Sequence, residues 1–289
     1  MWKTGPARGN NCRVNHRKHD LPKPRRFCRS NQNGVHIMTF ARTPAKAQGL
    51  NIEIRPGEYD WRDQLEASLA GVDALVLVSG MALPDERIGQ HRNVIDAAKT
   101  AGVIKTVYTS IQGVEGGRPF SPVVQSNRQT EADIRESGMD WAIGRNGIYI
   151  EPDVEYVDSY RPKDEIANSA GTGKCGYTTR PELAHAYAAL LIRKKMDGKT
   201  VDLNGTPIAQ AQLAEYLNGA YGTQLAYRAM SSAGYVVDRT AELGPFIGPI
   251  IGGIHDGIRL GAYDTPGDFE AVTGRPHQCW GDYFASLGN

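Results

Sequence analysis

The chain has little cysteine, no long apolar run and almost no net charge. Its four cysteines, Cys12, Cys28, Cys175 and Cys279, are scattered singly among 289 residues, which argues against a disulfide framework and against a zinc ribbon and leaves reduced thiols as the simple expectation. No apolar stretch approaches the roughly 18 residues that a membrane-crossing helix needs, and the first residues lack the apolar segment of a secretion signal, so the chain reads as cytoplasmic. With 40% hydrophobic and 22% charged residues it can bury a full core, as one large α/β domain or one domain with a small appendage.

The net charge of +1 conceals an asymmetry. Residues 1–46 carry eleven Lys or Arg against one acid, Asp20, while the remainder holds 22 basic and 31 acidic residues. The head shows almost no apolar periodicity and is punctuated by Pro6, Pro22, Pro24 and Gly34, a composition that predicts disorder for residues 1–35. Clustered lysine and arginine can release counterions from phosphate, yet without interleaved aromatics such a run is more often a solvated segment, which argues against a nucleic-acid partner. Cys12, His16, His19 and Cys28 are too irregularly spaced for a metal site, and none is expected elsewhere.

Beyond the head the pattern changes. VHIMTFAR, NIEIR, ALVLVSG, KTVYTS and DWAIGRNG read as strands, the third too apolar for a solvent face, and between them lie helical stretches that stop at Gly71, Gly102 and Gly138. Strand and helix alternate over more than a hundred residues, and parallel strands need helical crossovers, so the expected fold is α/β, a Rossmann-like doubly wound parallel sheet over residues 36–151. Residues 152–289 alternate less regularly, through PELAHAYAALLIRK, KTVDLN, AQLAEYLNGAYG and the Gly-rich GPFIGPIIGG, and predict a smaller C-terminal substrate lobe closing on the sheet.

GVDALVLVSG, QHRNVIDAAKTAGVIKTVYTS, ESGMDWAIGRNGIY and GKCGYTTRPELAHAYAALLI, in that order and spacing, resemble the NmrA-like branch of the atypical short-chain dehydrogenase/reductases, and within it the NAD(P)H:quinone reductases and triphenylmethane reductases. The likeness runs over roughly residues 36–289, to a closing FEAVTGRPHQCWGDYFASL where the family has its last helix. It implies an NAD(P)H-dependent oxidoreductase that passes hydride to a quinone-like or similar small acceptor. Arg42, at a strand end, stands where a guanidinium pairs with an adenosine 2′-phosphate and favours NADPH (NADP) over NADH. Tyr59 and Asp60, after Glu58, match an acidic-Tyr pair near the adenine; Ser79, Gly80 and Met81 follow the ALVLV strand at the ribose; Asn146, Gly147, Ile148 and Tyr149 match the segment beside the nicotinamide.

Two features of the wider family are missing. No tyrosine is followed by lysine four residues on, so the pair that shuttles a proton in ordinary short-chain dehydrogenases is absent, and no residue stands out as catalytic. The quinone reductases lack that pair as well, since the chemistry resides in the cofactor. The family also begins with an apolar strand running into a glycine-rich phosphate turn, and here only TGPARG, residues 4–9, stands near that position. Back-translating those residues and deleting one C from the proline codon yields Thr-Gly-Gln-Leu-Gly, the family's turn. A frameshifted or mis-spliced head and a genuine divergent arm both stay open. Two further functional readings accompany them: a non-catalytic NmrA-like regulator that senses the dinucleotide, for which a protein partner is expected, and an inactive product of a damaged reading frame.

Overall fold

A computed structural model describes residues 36–50 and 52–288. The basic head and its TGPARG segment lie outside the described residues.

The described chain opens with a parallel pair, β1 (Met38–Ala41) and β2 (Glu53–Pro56), in register Met38 with Glu53. Helix α1 (Arg62–Leu69) clamps this pair, because the Arg55 guanidinium donates to the carbonyls of Ser68 and Ala70, at 2.7 and 2.8 Å, and the Ser68 hydroxyl donates to that of Pro56 at 2.6 Å. Strand β3 (Ala74–Val78), helix α2 (Pro84–Thr100), strand β4 (Lys105–Ile111), helix α3 (Ser121–Arg135) and strand β5 (Asp140–Asn146) follow in strict alternation. Gly71, Gly102 and Gly138 take positive φ just beyond the helix ends, which is why the helices stop there.

The next segment is built of short pieces: β6 (Ile148–Tyr149), α4 (Glu151–Glu155), α5 (Val157–Tyr160), β7 (Glu165–Asn168), β8 (Lys174–Cys175) and β9 (Tyr177–Thr178). Helix α6 (Arg180–Ile192) leads to β10 (Lys199–Leu203), then β11 (Ile208–Ala209), α7 (Gln210–Tyr221), β12 (Ala226–Ala229), the long α8 (Ser232–Arg259), α9 (Phe269–Thr273) and α10 (Trp280–Ala285).

The main sheet runs β10-β5-β4-β3, all parallel. Among the described residues it forms no hydrogen-bonded pair with the β1-β2 sheet. Side-chain alternation along β4 shows how the sheet is covered on both faces: Tyr108 packs with Leu65, Ile95 and Ile134 of α1, α2 and α3, and Val107 packs with Leu183 and Leu190 of α6. A third cluster, with Ile150, Ile166, Tyr177, Leu213, Leu217, Trp280 and Phe284, holds the smaller lobe together.

The structure departs from the sequence reading at four places. The third strand is not closed to solvent: Val78, at its carboxyl end, is 56% exposed, because it opens onto a cleft and not onto a helix. The boundary at residue 151 does not separate two sheets, since β10, from the segment assigned to the smaller lobe, pairs with β5 from Lys199↔Ala142 to Leu203↔Asn146 and completes the parallel sheet. GPFIGPIIGG is the second half of α8, restarted by Pro245 after a break at Gly244 (φ 85°, ψ 171°). The two halves fold against each other so closely that a Cβ at Gly252 would sit 2.5 Å from Val236. The closing segment forms two short helices and not one, as Gly274 (φ 81°) ends α9 and Pro276 follows.

Candidate functional site

Every parallel strand of the main sheet points its carboxyl end the same way, so the loops after β3, β4 and β5 converge, and open parallel sheets bind ligands at that edge. Here the convergence makes a cleft of about 680 Å³, roofed by α8. Its sheet-side wall carries Ser79, Gly80 and Met81 after β3, Thr109 and Gln112 of and after β4, and Asn146, Gly147, Ile148 and Tyr149 after β5. Its far wall is Phe120 and Val123 of the α3 entry with Phe246, Ile250, Ile251 and Ile254 of α8. The interior is predominantly apolar, with a few polar groups placed at the sheet edge.

Those polar groups are fixed by buried partners. The backbone N–H of Ser79 donates to Thr109 Oγ1 at 2.8 Å, and its hydroxyl donates to Asn127 Oδ1 at 3.1 Å. Asn127 Oδ1 also accepts from the Tyr108 hydroxyl at 2.7 Å, while its Nδ2 donates back to the Val123 carbonyl at 2.8 Å, so this amide is locked in one orientation. Gly80 N–H donates to His91 Nε2 at 3.1 Å, and the opposite ring nitrogen meets Thr130 Oγ1 at 2.9 Å. An accepting Nε2 requires a neutral imidazole. Burial, together with the nearby Arg87 charge, pushes the His91 pKa down to about 4, in keeping with that tautomer.

On the other side, Tyr187 of α6 reaches Asn146 Oδ1 at 2.6 Å and the Gly144 carbonyl at 2.9 Å. Asn146 Nδ2 then donates to the Tyr149 hydroxyl oxygen at 3.0 Å. The phenolic proton of Tyr149 is thereby left for another acceptor, and the ring, 39% exposed, lines the cleft and is covered on one side by the Arg180 guanidinium. Burial raises the Tyr149 pKa, so the hydroxyl is a neutral donor. Gly147 is required by close approach: a Cβ there would lie 2.3 Å from the Gly176 carbonyl oxygen and 2.8 Å from Asn204.

Behind the site, the fully buried Glu131 carboxylate is gripped by Arg145 at 2.7 Å, by Arg128 and Arg135 at 2.9 Å, and by the Ser110 hydroxyl at 2.7 Å. Burial alone would raise its pKa, but the hydrogen bonds and charges of the arginines and Ser110 outweigh burial and bring it down to about 2. At the cleft wall Arg87 is 5% exposed and donates to Ser126 Oγ and the Ala82 carbonyl, at 3.2 and 3.0 Å. Its Nε has no partner among the described residues.

The cleft thus unites seven of the ten residues picked out in the sequence, Ser79, Gly80, Met81, Asn146, Gly147, Ile148 and Tyr149. The other three lie beyond it, around the end of β1. Arg42 follows β1 with its side chain 80% exposed, 3.4 Å from Glu58. The Tyr59 hydroxyl donates to the Val78 carbonyl at 3.1 Å, and its ring stands edge-on to His91. Asp60 accepts from the Gln90 amide at 3.1 Å. Sequence reasoning missed Asn127, Tyr108, Tyr187, Arg87 and the α8 wall. One signal was available for the first: Ser126, Asn127, Thr130 and Glu131 form a polar face at helical spacing on a helix whose polar residues face the sheet, and all four are buried.

The arrangement fits a reduced dinucleotide. Val78 and Met81, 56% and 89% exposed, present apolar surface at the edge where a ligand would cover it, and the Arg42 guanidinium faces solvent beyond them.

Residues 28–194 match the NAD(P)H-binding family model. Quinone oxidoreductase 2 of Escherichia coli (strain K12) is 33% identical over 205 residues, which is 69% of this chain and 70% of that protein. The structure of an NADPH-dependent quinone oxidoreductase from Escherichia coli complexed with NADPH superposes with a TM-score of 0.80 at 28% identity, covering 88% of this chain and 90% of that one. Triphenylmethane reductase of Citrobacter sp. complexed with NADP(H) gives a TM-score of 0.78 at 26% identity, with the same coverage.

Proposed function

The chain belongs to the NAD(P)H-binding family, and from that premise we propose that it is an NADPH-dependent oxidoreductase that reduces a flat, apolar acceptor of the quinone class. The observation that carries this reading is the cleft: its apolar α8 roof faces the Asn146–Tyr149 segment, a lining that suits a small aromatic acceptor, and Tyr149 stands in its wall.

When bound, the reduced nicotinamide supplies a hydride. The chain's own residues bind, orient and exclude water. Arg42 and the Tyr59–Asp60 segment would hold the adenosine end, Ser79–Met81 the ribose, and Asn146–Tyr149 the nicotinamide side. Phe120, Phe246 and the isoleucines of α8 keep water from the acceptor. Tyr149 donates a hydrogen bond that orients an acceptor carbonyl. Among the described residues no helix is long and apolar enough to cross a membrane. Cys175 is a buried free thiol, which suits a reducing compartment, and we place the protein in the cytoplasm.

The test is the absorbance of NADPH during incubation with a small soluble quinone, alongside NADPH binding followed by its fluorescence. Quinone-dependent oxidation is expected. Binding without oxidation across a panel of quinones sinks the reductase reading and leaves a dinucleotide sensor.

A further inference from the structure

The cleft contains a carboxyl group that the reading above does not use. Asp153 lies on α4, four residues beyond Tyr149, and lines the same cavity. Its Oδ1 accepts from the Tyr160 hydroxyl at 3.1 Å, and Tyr177 provides a second hydroxyl. The direction of that second bond is set from behind. Asn168 Nδ2 donates to Gln210 Oε1 at 2.9 Å, and Gln210 Nε2 donates to the Tyr177 hydroxyl oxygen at 2.8 Å, so the phenolic proton of Tyr177 is free for Asp153. Two tyrosines therefore stabilise the carboxylate form inside a mostly apolar cavity.

We propose that Asp153 is the acid that protonates the reduced acceptor, an assignment that rests on the quinone-class reading of the cleft. Addition of a hydride, two electrons and one hydrogen nucleus, leaves a quinone with one oxygen as an anion. The O–H bond of Asp153 breaks, its proton forms the O–H bond of the hydroquinone, and the electron pair stays on the carboxylate, which Tyr160 and Tyr177 hold. Solvent at the cleft mouth returns the proton. A phenolate-like oxygen has an ordinary pKa of about 10, far above that of a carboxylic acid, so the transfer runs downhill. Tyr149 does not serve as well, since burial makes its own proton harder to release.

The surroundings leave Asp153 as the group that changes charge near neutrality. Burial pushes it up, against the two tyrosine hydrogen bonds, to about 6. Facing it, Tyr160 of α5, Tyr177 of β9 and Tyr235 of α8 have pKa values raised by burial and stay neutral, as does the Cys175 thiol of β8. His255 of α8, held down to about 4 by burial, is neutral also. Arg239 of α8 is paired with Asp238 and Glu242. An apolar acceptor that displaces water from the cleft raises the acid further.

The experiment is the pH profile of kcat/KM for a small soluble quinone between pH 5 and 8.5, with NADPH binding measured on each protein. The unchanged protein should lose activity by up to about tenfold per pH unit above the midpoint of its acid limb. Asp153→Asn, of the same shape, should flatten the profile at the alkaline level, and Asp153→Glu should restore a limb at a shifted midpoint. Tyr160→Phe removes a hydrogen bond to the carboxylate and should move the limb upward in pH. NADPH affinity should stay within about twofold in all three, as Asp153 lies on the acceptor side. A limb that persists unchanged in Asp153→Asn, or a flat profile in the unchanged protein, overturns the assignment while the reductase reading stands. An unchanged protein that binds NADPH and oxidises it with no quinone at any pH overturns the reductase reading, and the assignment with it.

Discussion

The Tyr187 hydroxyl donates to Asn146 Oδ1 across 2.6 Å and so decides which way the Asn146 amide faces. With Oδ1 committed to Tyr187, the amide nitrogen is turned to the Tyr149 hydroxyl, and a side chain on the outer helix α6 sets the donor direction of a side chain in the cleft. Tyr187→Phe should leave Asn146 Oδ1 unsatisfied in a buried site, at a cost of about 1–3 kcal/mol. That corresponds to a melting temperature lower by very roughly 3–10 °C. The KM for the acceptor should rise while NADPH binding is unaffected. A variant with unchanged melting temperature and KM contradicts this coupling.

Glu131 is the fully buried carboxylate that three arginines share behind the site. Glu131→Gln leaves Arg145, whose side chain is 29% exposed, without that counter-charge, and because water partly screens the arginine the loss should stay below the roughly 3–5 kcal/mol of a fully buried pair. Its folded pKa, about 2, is below its ordinary 4.5, so its contribution is fully present above about pH 4.5 and is lost as pH falls toward 2. Urea unfolding at pH 7 and at pH 3 should show the difference between the unchanged protein and Glu131→Gln shrinking at the lower pH. A gap that stays constant rules this out.

His91 gives acid sensitivity of the same sign in a higher pH window. Its folded pKa of about 4 lies below the ordinary 6.5, so the unfolded chain takes up a proton first and the folded state loses stability as pH falls from about 6.5 toward 4. His91→Gln retains an acceptor for the Gly80 N–H but cannot titrate. The variant should therefore lose less stability than the unchanged protein between pH 7 and pH 5, measured by thermal melts. Parallel curves would show that His91 does not titrate as its surroundings dictate.

Arg42 carries the expectation of NADPH preference. Its guanidinium is solvent-facing and, among the described residues, held by Glu58 alone at 3.4 Å, so a phosphate can claim it. Arg42→Ala should weaken NADPH binding by about 1.5–3 kcal/mol, the scale of a charge-assisted hydrogen bond, and leave NADH nearly unchanged. Titration calorimetry with both nucleotides is the check, and equal losses would remove Arg42 from the 2′-phosphate site.

Most of the framework was legible in the chain because its elements announce themselves locally. The apolar run of β3, the helical spacing of Val94, Ile95 and Ala98 on α2, and the glycines at 71, 102 and 138 each follow from side chains a few positions apart. The seven residues of the family resemblance that line the cleft are all loop or strand-end positions at or directly after a readable strand. What could not be read was anything set by packing between distant segments. Nothing near Tyr187 in sequence says that its hydroxyl meets Asn146, and nothing in GPFIGPIIGG says helix, since the residues that break helices in isolation here permit two halves of α8 to pack against each other.

The sequence by itself determined the α/β class and the parallel order of strand and helix, because periodicity and punctuation act over a turn or a strand, while the segments at the carboxyl edge came from the family resemblance. The tertiary structure alone decided that β10 returns to complete the sheet, that α8 roofs the cleft with apolar side chains, and that Asp153 stands by Tyr160 and Tyr177 in a mostly apolar cleft. Strand pairing, cavity shape and the dielectric around a carboxyl group depend on residues dozens of positions apart, and no local pattern encodes them.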